Sequence, residues 1–137
     1  MTPPPPRTLG PLTVTDFVRY QGASGDLNPI HHDAGVAAAA GFDAPLGVGM
    51  LPAGAMCAWA TDWLGPANLR SFRVKWRRPV FPGDVLTIDG ALVDAPEGRV
   101  GLHITCARGE ERVAEAWAGF ADASGPPERS EPAAATG

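Results

Sequence analysis

The chain has 137 residues, 45% of them apolar, enough for one domain with a real core and too few for two. Its net charge of −4 argues against a surface built to hold nucleic acid. Cys57 and Cys106 fall in apolar surroundings without metal-ligand spacing, so two buried free thiols in a reducing compartment are expected, and no metal centre.

Met1 to Arg7 carries four consecutive prolines and no apolar signal-peptide core. It reads as a flexible tail, 1–7, of a cytoplasmic protein. Thr13 and Asp16 mark a helix start, a hydroxyl to cap and an acid in the first turn. Phe17, Val18 and Tyr20 follow as its apolar contacts, and Gly22 to Gly25 end it. Ser24 to Ile30 is a loop of turn formers, after which Asp33 caps a short Ala-rich helix ending at Gly41.

Ala44 to Thr61 runs eighteen residues without a charge. Pro45, Gly47, Gly49, Pro52 and Gly54 interrupt its first half, leaving far less than the roughly 20 unbroken apolar residues that cross a bilayer. The stretch predicts a central core helix over 50–64, with Pro52 in its first turn and Gly65-Pro66 as its stop. Leu51, Met56, Trp59, Trp63 and Leu64 lie all round it, so other elements must wrap it. From residue 69 the apolar period becomes two. Leu69–Arg78 places Phe72, Val74 and Trp76 on one face, and Ser71, Arg73, Lys75 and Arg77 on the other. Pro79–Asp84 is a turn, and 85–93, 99–108 and 113–121 read as three more strands. An α+β fold follows, one antiparallel sheet curved around one apolar helix. The domain is bounded at 8–123, and 124–137, without a large apolar residue, reads as a disordered tail.

Chemical groups concentrate in one segment, Ser24-Gly25-Asp26-Leu27-Asn28-Pro29-Ile30-His31-His32-Asp33. Asp26 and His31 are joined through Asn28-Pro29, which stiffens the link because proline fixes its own φ and restricts the residue before it. Such a loop can aim a carboxylate and an imidazole at one water. On spacing alone, Asp26 and Asn28 serve equally as turn residues and His31 as a hydrogen-bonded bystander. His32 beside His31 does not make a metal site, since adjacent side chains diverge and no further ligand cluster completes one. His103 reads as a strand residue.

SGDLNPIHHD, followed by AAAAGF and by GMLPAG at the helix entry, resembles the MaoC-like, or (R)-specific enoyl-CoA hydratase, family. Tyr20, Ser24, Gly25, Asp26, Asn28, Pro29, Ile30 and His31 match its hydratase motif, and the likeness runs from about Thr13 to Asp84. The resemblance implies the hot-dog fold, an antiparallel sheet around a long helix. It also implies syn hydration of a trans-2-enoyl thioester, or the reverse dehydration, without a cofactor. Asp26 and His31 would hold and activate the water, and the Gly49 N–H would polarise the thioester carbonyl. Asn28 would shape the loop. Many relatives read His-Gly-Met where this chain has Val48-Gly49-Met50, a change at the acyl pocket that bears on substrate shape more than on catalysis. Arg73, Lys75 and Arg77 form either a CoA phosphate contact or a solvated strand face. The substrate would be an acyl-CoA or acyl-carrier-protein thioester. A single such domain leaves a sheet edge open, so a homodimer, or a heterodimer with another MaoC-like chain, is expected. A non-catalytic subunit that completes a partner's acyl tunnel and a hot-dog thioesterase are the other readings. The retained Asp26/His31 pair argues against the first. The absence of an acid inside the central helix before Asp62 argues against the second.

Overall fold

The computed structural model describes residues 1–123; the expected tail at 124–137 lies outside the described residues. In chain order the elements are β1 (Arg7–Leu9), α1 (Val14–Ser24), a 3₁₀ turn (Pro29–His31), α2 (Ala34–Ala39) and α3 (Met50–Leu64). A second 3₁₀ turn (Pro66–Asn68) leads into β2 (Leu69–Trp76), β3 (Leu86–Val93), β4 (Arg99–Arg108) and β5 (Glu111–Ala121). The strands form one antiparallel sheet in the order β1-β3-β4-β5-β2.

Each helix starts and stops for a local reason. Thr13 and Asp16 form a capping box on α1, with Thr13 Oγ1 accepting from the Asp16 N–H and the Asp16 carboxylate accepting from the Thr13 N–H at 2.8 Å. Gly25 closes α1 in the left-handed region at φ 77°. α3 keeps the predicted bounds, with Pro52 near its start and Gly65 after its end. Its buried Met56, Trp59 and Ala60 pack against Leu86, Ile88, Leu102, Ile104, Val113, Ala116 and Phe120 of the sheet. Met56 and Trp59 are therefore core residues, and Trp63 packs on that core from its edge. Burial pushes the Cys106 thiol up to about 11, so it behaves as a small apolar filler. Cys57 is free as well but only half-buried.

Three features depart from expectation. The sheet does not surround α3, because Met50, Gly54 and Ala58, spaced four apart along one side of the helix, remain exposed. The proline-rich segment is not a loose tail throughout. Arg7 opens β1 against Ile88, the Pro5 carbonyl accepts from Trp59 Nε1 at 3.2 Å, and Arg7 pairs with Asp62 at 2.9 Å. A three-residue strand shows no alternation, so only its partners reveal it. Trp76 does not join Phe72 and Val74 in the core. It is 49% exposed and lies against Gly49 at the N-terminus of α3.

Gly90 of β3 lies directly beneath Trp59, where a Cβ would come within 2.8 Å of the indole. Gly90→Ala is therefore expected to cost about 1–3 kcal/mol through overpacking, measurable as a drop in urea midpoint with unchanged slope.

On the outer sheet face, nearly buried Glu115 accepts from Arg77 Nε at 3.0 Å, from His103 at 3.3 Å and from Arg112 at 3.4 Å. The Arg77 hydrogen bond foremost, then those of His103 and Arg112, hold the Glu115 carboxyl below its usual 4.5, against the opposing effect of desolvation. A carboxyl lowered by folding stabilises above its unfolded value and loses that contribution as pH falls through the folded one. The Tm gap between wild type and Glu115→Gln should therefore be widest near neutrality and shrink below 4.5. A gap independent of pH would contradict this.

Candidate active site

The loop after α1 is built of nested turns. Asn28 N–H donates to Asp26 Oδ1 at 3.2 Å, and Ile30 N–H donates to Asn28 Oδ1 at 3.1 Å, so each side chain closes the turn that follows it. Asn28 thus caps the 3₁₀ turn that carries His31. One carboxylate oxygen of Asp26 is occupied by this turn. The other, Oδ2, faces His31 Nε2 at 3.6 Å, longer than a hydrogen bond.

The far side of the His31 ring fixes its chemistry. Nδ1 lies 2.9 Å from the Leu46 carbonyl oxygen, which can only accept, so Nδ1 carries the proton. Neutral His31 then turns the bare lone pair of Nε2 toward Asp26. The imidazole is 13% exposed and the carboxylate 47%, so the pair stands at a solvent-facing opening with the base set deeper. With His31 in its neutral form, two acceptors stand side by side, a site for a donor with two hydrogens.

The segment that receives His31 leads into α3. Leu46 N–H donates to the Ile30 carbonyl at 3.1 Å and Gly47 N–H to Val80 at 2.6 Å, tying the helix entry to the loop on one side and to the Pro79–Asp84 turn on the other. Gly47 is required by space, since a Cβ there would press on Val80 and Phe17 at 3.2 and 3.3 Å. Val48 is buried, Met50 exposed, and Gly49 sits at the N-terminus of α3. Among the described residues, neither the Gly49 nor the Met50 N–H has a backbone acceptor. Trp76 Nε1 donates to the Gly49 carbonyl at 2.7 Å, and its indole would be 3.1 Å from a Cβ on Gly49. Gly49, Pro52, Trp76, Arg77 and Val80 line a cavity of about 300 Å³ there.

The three cations in and just after β2 separate. Arg73 lies over the Trp117 ring, 4.8 Å from its centroid, and Arg77 pairs with Glu115 while also reaching the cavity rim. Lys75 is exposed, opposite Glu115 in the β2–β5 register. Sequence reasoning missed Trp76 as a site neighbour, and it missed Gln21. Gln21 follows Phe17 by one helical turn on the buried face of α1, a periodicity that points it inward.

A five-stranded antiparallel sheet curled on one helix, with an Asp/His loop docked at that helix's entry, defines a hot-dog domain. Residues 2–114 match the MaoC like domain family, and the chain belongs to it. Over 89 residues, 62% of the chain, it is 34% identical to the peroxisomal multifunctional enzyme type 2 of Drosophila melanogaster, of whose length the match spans only 15%. Its fold is similar to a chain of the ChsH1-ChsH2 complex from Mycobacterium tuberculosis (TM-score 0.78, 21% identity, 85% of this chain and 92% of that one). It is also similar to the R-hydratase PhaJ1 from Pseudomonas aeruginosa (TM-score 0.75, 24% identity, 93% and 90%). Likeness at these identities establishes the fold. Among the described residues no helix is long and apolar enough to cross a membrane.

Proposed function

We propose that the protein is an (R)-specific enoyl-thioester hydratase, or 3-hydroxyacyl-thioester dehydratase, working through Asp26 and His31. The observation that carries this reading is the pair of unpaired acceptors, Asp26 Oδ2 and His31 Nε2, 3.6 Å apart with the His31 tautomer set by Leu46. A water donating one O–H to each is held with its oxygen lone pairs directed away from the pair, toward C3 of a bound enoyl group. As the oxygen bonds C3, the pair takes one of the water protons and the C2=C3 electrons move onto the thioester carbonyl. The free N–H groups at the α3 entry, Gly49 foremost, stabilise that oxyanion. The pair then returns a proton to C2. Both additions come from one face, which is syn hydration. Val48 and Met50 flank the oxyanion position, and Arg77 at the cavity rim, with Lys75, supplies cations for the phosphates of an acyl-CoA. The test is the product of crotonyl-CoA hydration resolved on a chiral column. The (R)-3-hydroxy isomer is expected, and the (S) isomer or a free acid would refute the reading.

A specific observation favours an oligomeric form of this enzyme. The exposed stripe Met50, Gly54 and Ala58 lies on the helix, and β2 is a sheet edge without a partner strand on its outer side among the described residues. Apolar helix surface and an open edge are both covered when two such domains pair. The similar chain of the ChsH1-ChsH2 complex is one of two different chains, which supports a different chain as the alternative occupant of that surface. Light scattering of the purified chain distinguishes a self-paired dimer from a monomer awaiting its partner.

A further inference from the structure

Gln21 is 2% exposed, a degree of burial that a primary amide tolerates only when both ends are bonded. Both ends are spent on the loop that follows. Its Nε2 donates to the Asn28 carbonyl at 2.9 Å, and that carbonyl, able only to accept, fixes which end of the amide is the nitrogen. The oxygen end therefore faces His32 Nδ1, at 2.9 Å, and His32 must carry its proton there. Protonating the other ring nitrogen of His32 leaves this bond intact.

The two anchor points lie on either side of the 3₁₀ turn that carries His31. Asn28 N–H in turn holds Asp26 Oδ1, while His32 follows His31 directly. One side chain on the rigid α1 helix thus sets the height of the loop at both ends. The gap between Asp26 Oδ2 and His31 Nε2 follows from that height. We propose, resting on the hydratase reading above, that Gln21 and His32 are positioning residues for the Asp26–His31 pair. They touch neither water nor substrate, and they act by holding the two acceptors at the separation one water can span.

The expected results are specific to this arrangement. Gln21→Leu keeps the volume but leaves the His32 N–H unbonded and strips the Asn28 carbonyl of one donor. It should lower kcat by about tenfold or more, with KM within about threefold, since misplacement of reacting groups costs rate more than binding. Gln21→Glu sets a carboxylate oxygen against the Asn28 carbonyl and should be no better. Gly90→Ala, remote from the loop and destabilising on its own account, serves as the control and should keep kcat. The readout independent of turnover is the ¹⁵N spectrum of the His31 ring, whose shifts should move in Gln21→Leu as the ring changes its place against the Leu46 carbonyl and Asp26. Should Gln21→Leu fail to fold, His32→Ala at its exposed position carries the same test with a smaller loss, about threefold. A folded Gln21→Leu, or in its place His32→Ala, with wild-type kcat and wild-type His31 ring shifts would overturn the proposal. A wild-type protein that hydrates no enoyl thioester would instead remove the hydratase reading, and the ring shifts alone would then decide whether Gln21 positions His31.

Discussion

Asp26→Asn and His31→Ala are each expected to lower kcat for enoyl-thioester hydration by about 10²–10⁴-fold, the range a positioned acid or base supplies. KM should change little, because neither side chain lies where the CoA moiety would bind. In Asp26→Asn the amide oxygen can still accept from the Asn28 N–H, so the turn is kept while the group facing His31 loses its charge. The fold should tolerate this change, since the Asp26 side chain is about half exposed. If the pair serves one water as proposed, the double variant should be hardly slower than the worse single one, as groups acting as a unit are not additive. Multiplied losses would mean that the two residues act on different atoms. Steady-state kinetics with matched thermal melts separates a lost catalyst from a lost fold.

Trp59→Ala should be the most damaging single change to stability, by about 3–5 kcal/mol. The indole is almost wholly buried on α3, stands edge-on to Trp63 at 6.2 Å, and rests on Gly90 of β3. Gly90 beneath offers no side chain to fill the void. The Nε1–H also ties the proline-rich segment to the domain through the Pro5 carbonyl. Trp59→Phe keeps most of the apolar contact and loses that tie. It should cost clearly less, while proteolysis within the first six residues should quicken. Urea unfolding gives the first result and limited digestion the second.

Local chemistry made much of this molecule legible. Pro52 and Gly65-Pro66 bracket α3, Thr13 and Asp16 cap α1, and alternation along β2 to β5 announces the sheet. The closeness of Asp26 and His31 was suggested by the stiff Asn-Pro link, but spacing alone left both open as turn and bystander residues, and only the motif resemblance singled them out. What escaped was set at a distance. The His31 tautomer depends on a carbonyl fifteen residues on, and Arg77 is engaged by Glu115 thirty-eight residues on. β1 is too short to carry a period, and Trp76 continues the alternation of β2 but meets the N-terminus of α3 at Gly49, twenty-seven residues back, instead of the core. The apolar belt of α3 correctly announced burial, but the exposed Met50–Gly54–Ala58 stripe shows that one sheet does not complete it.

Whether Asp26 and His31 together add water to an enoyl thioester is decided by a single assay. Purified protein is mixed with crotonyl-CoA and with a long or steroid enoyl-CoA while the enoyl-thioester absorbance is followed, with Asp26→Asn run beside it. Turnover by the wild type that collapses in the variant is the predicted result, and the ratio of the two substrates ranks acyl size. Equal turnover by the wild type and a well-folded Asp26→Asn would contradict the assignment of the pair. No turnover on either substrate, by the chain alone or with a co-purified MaoC-like partner, would contradict the hydratase itself.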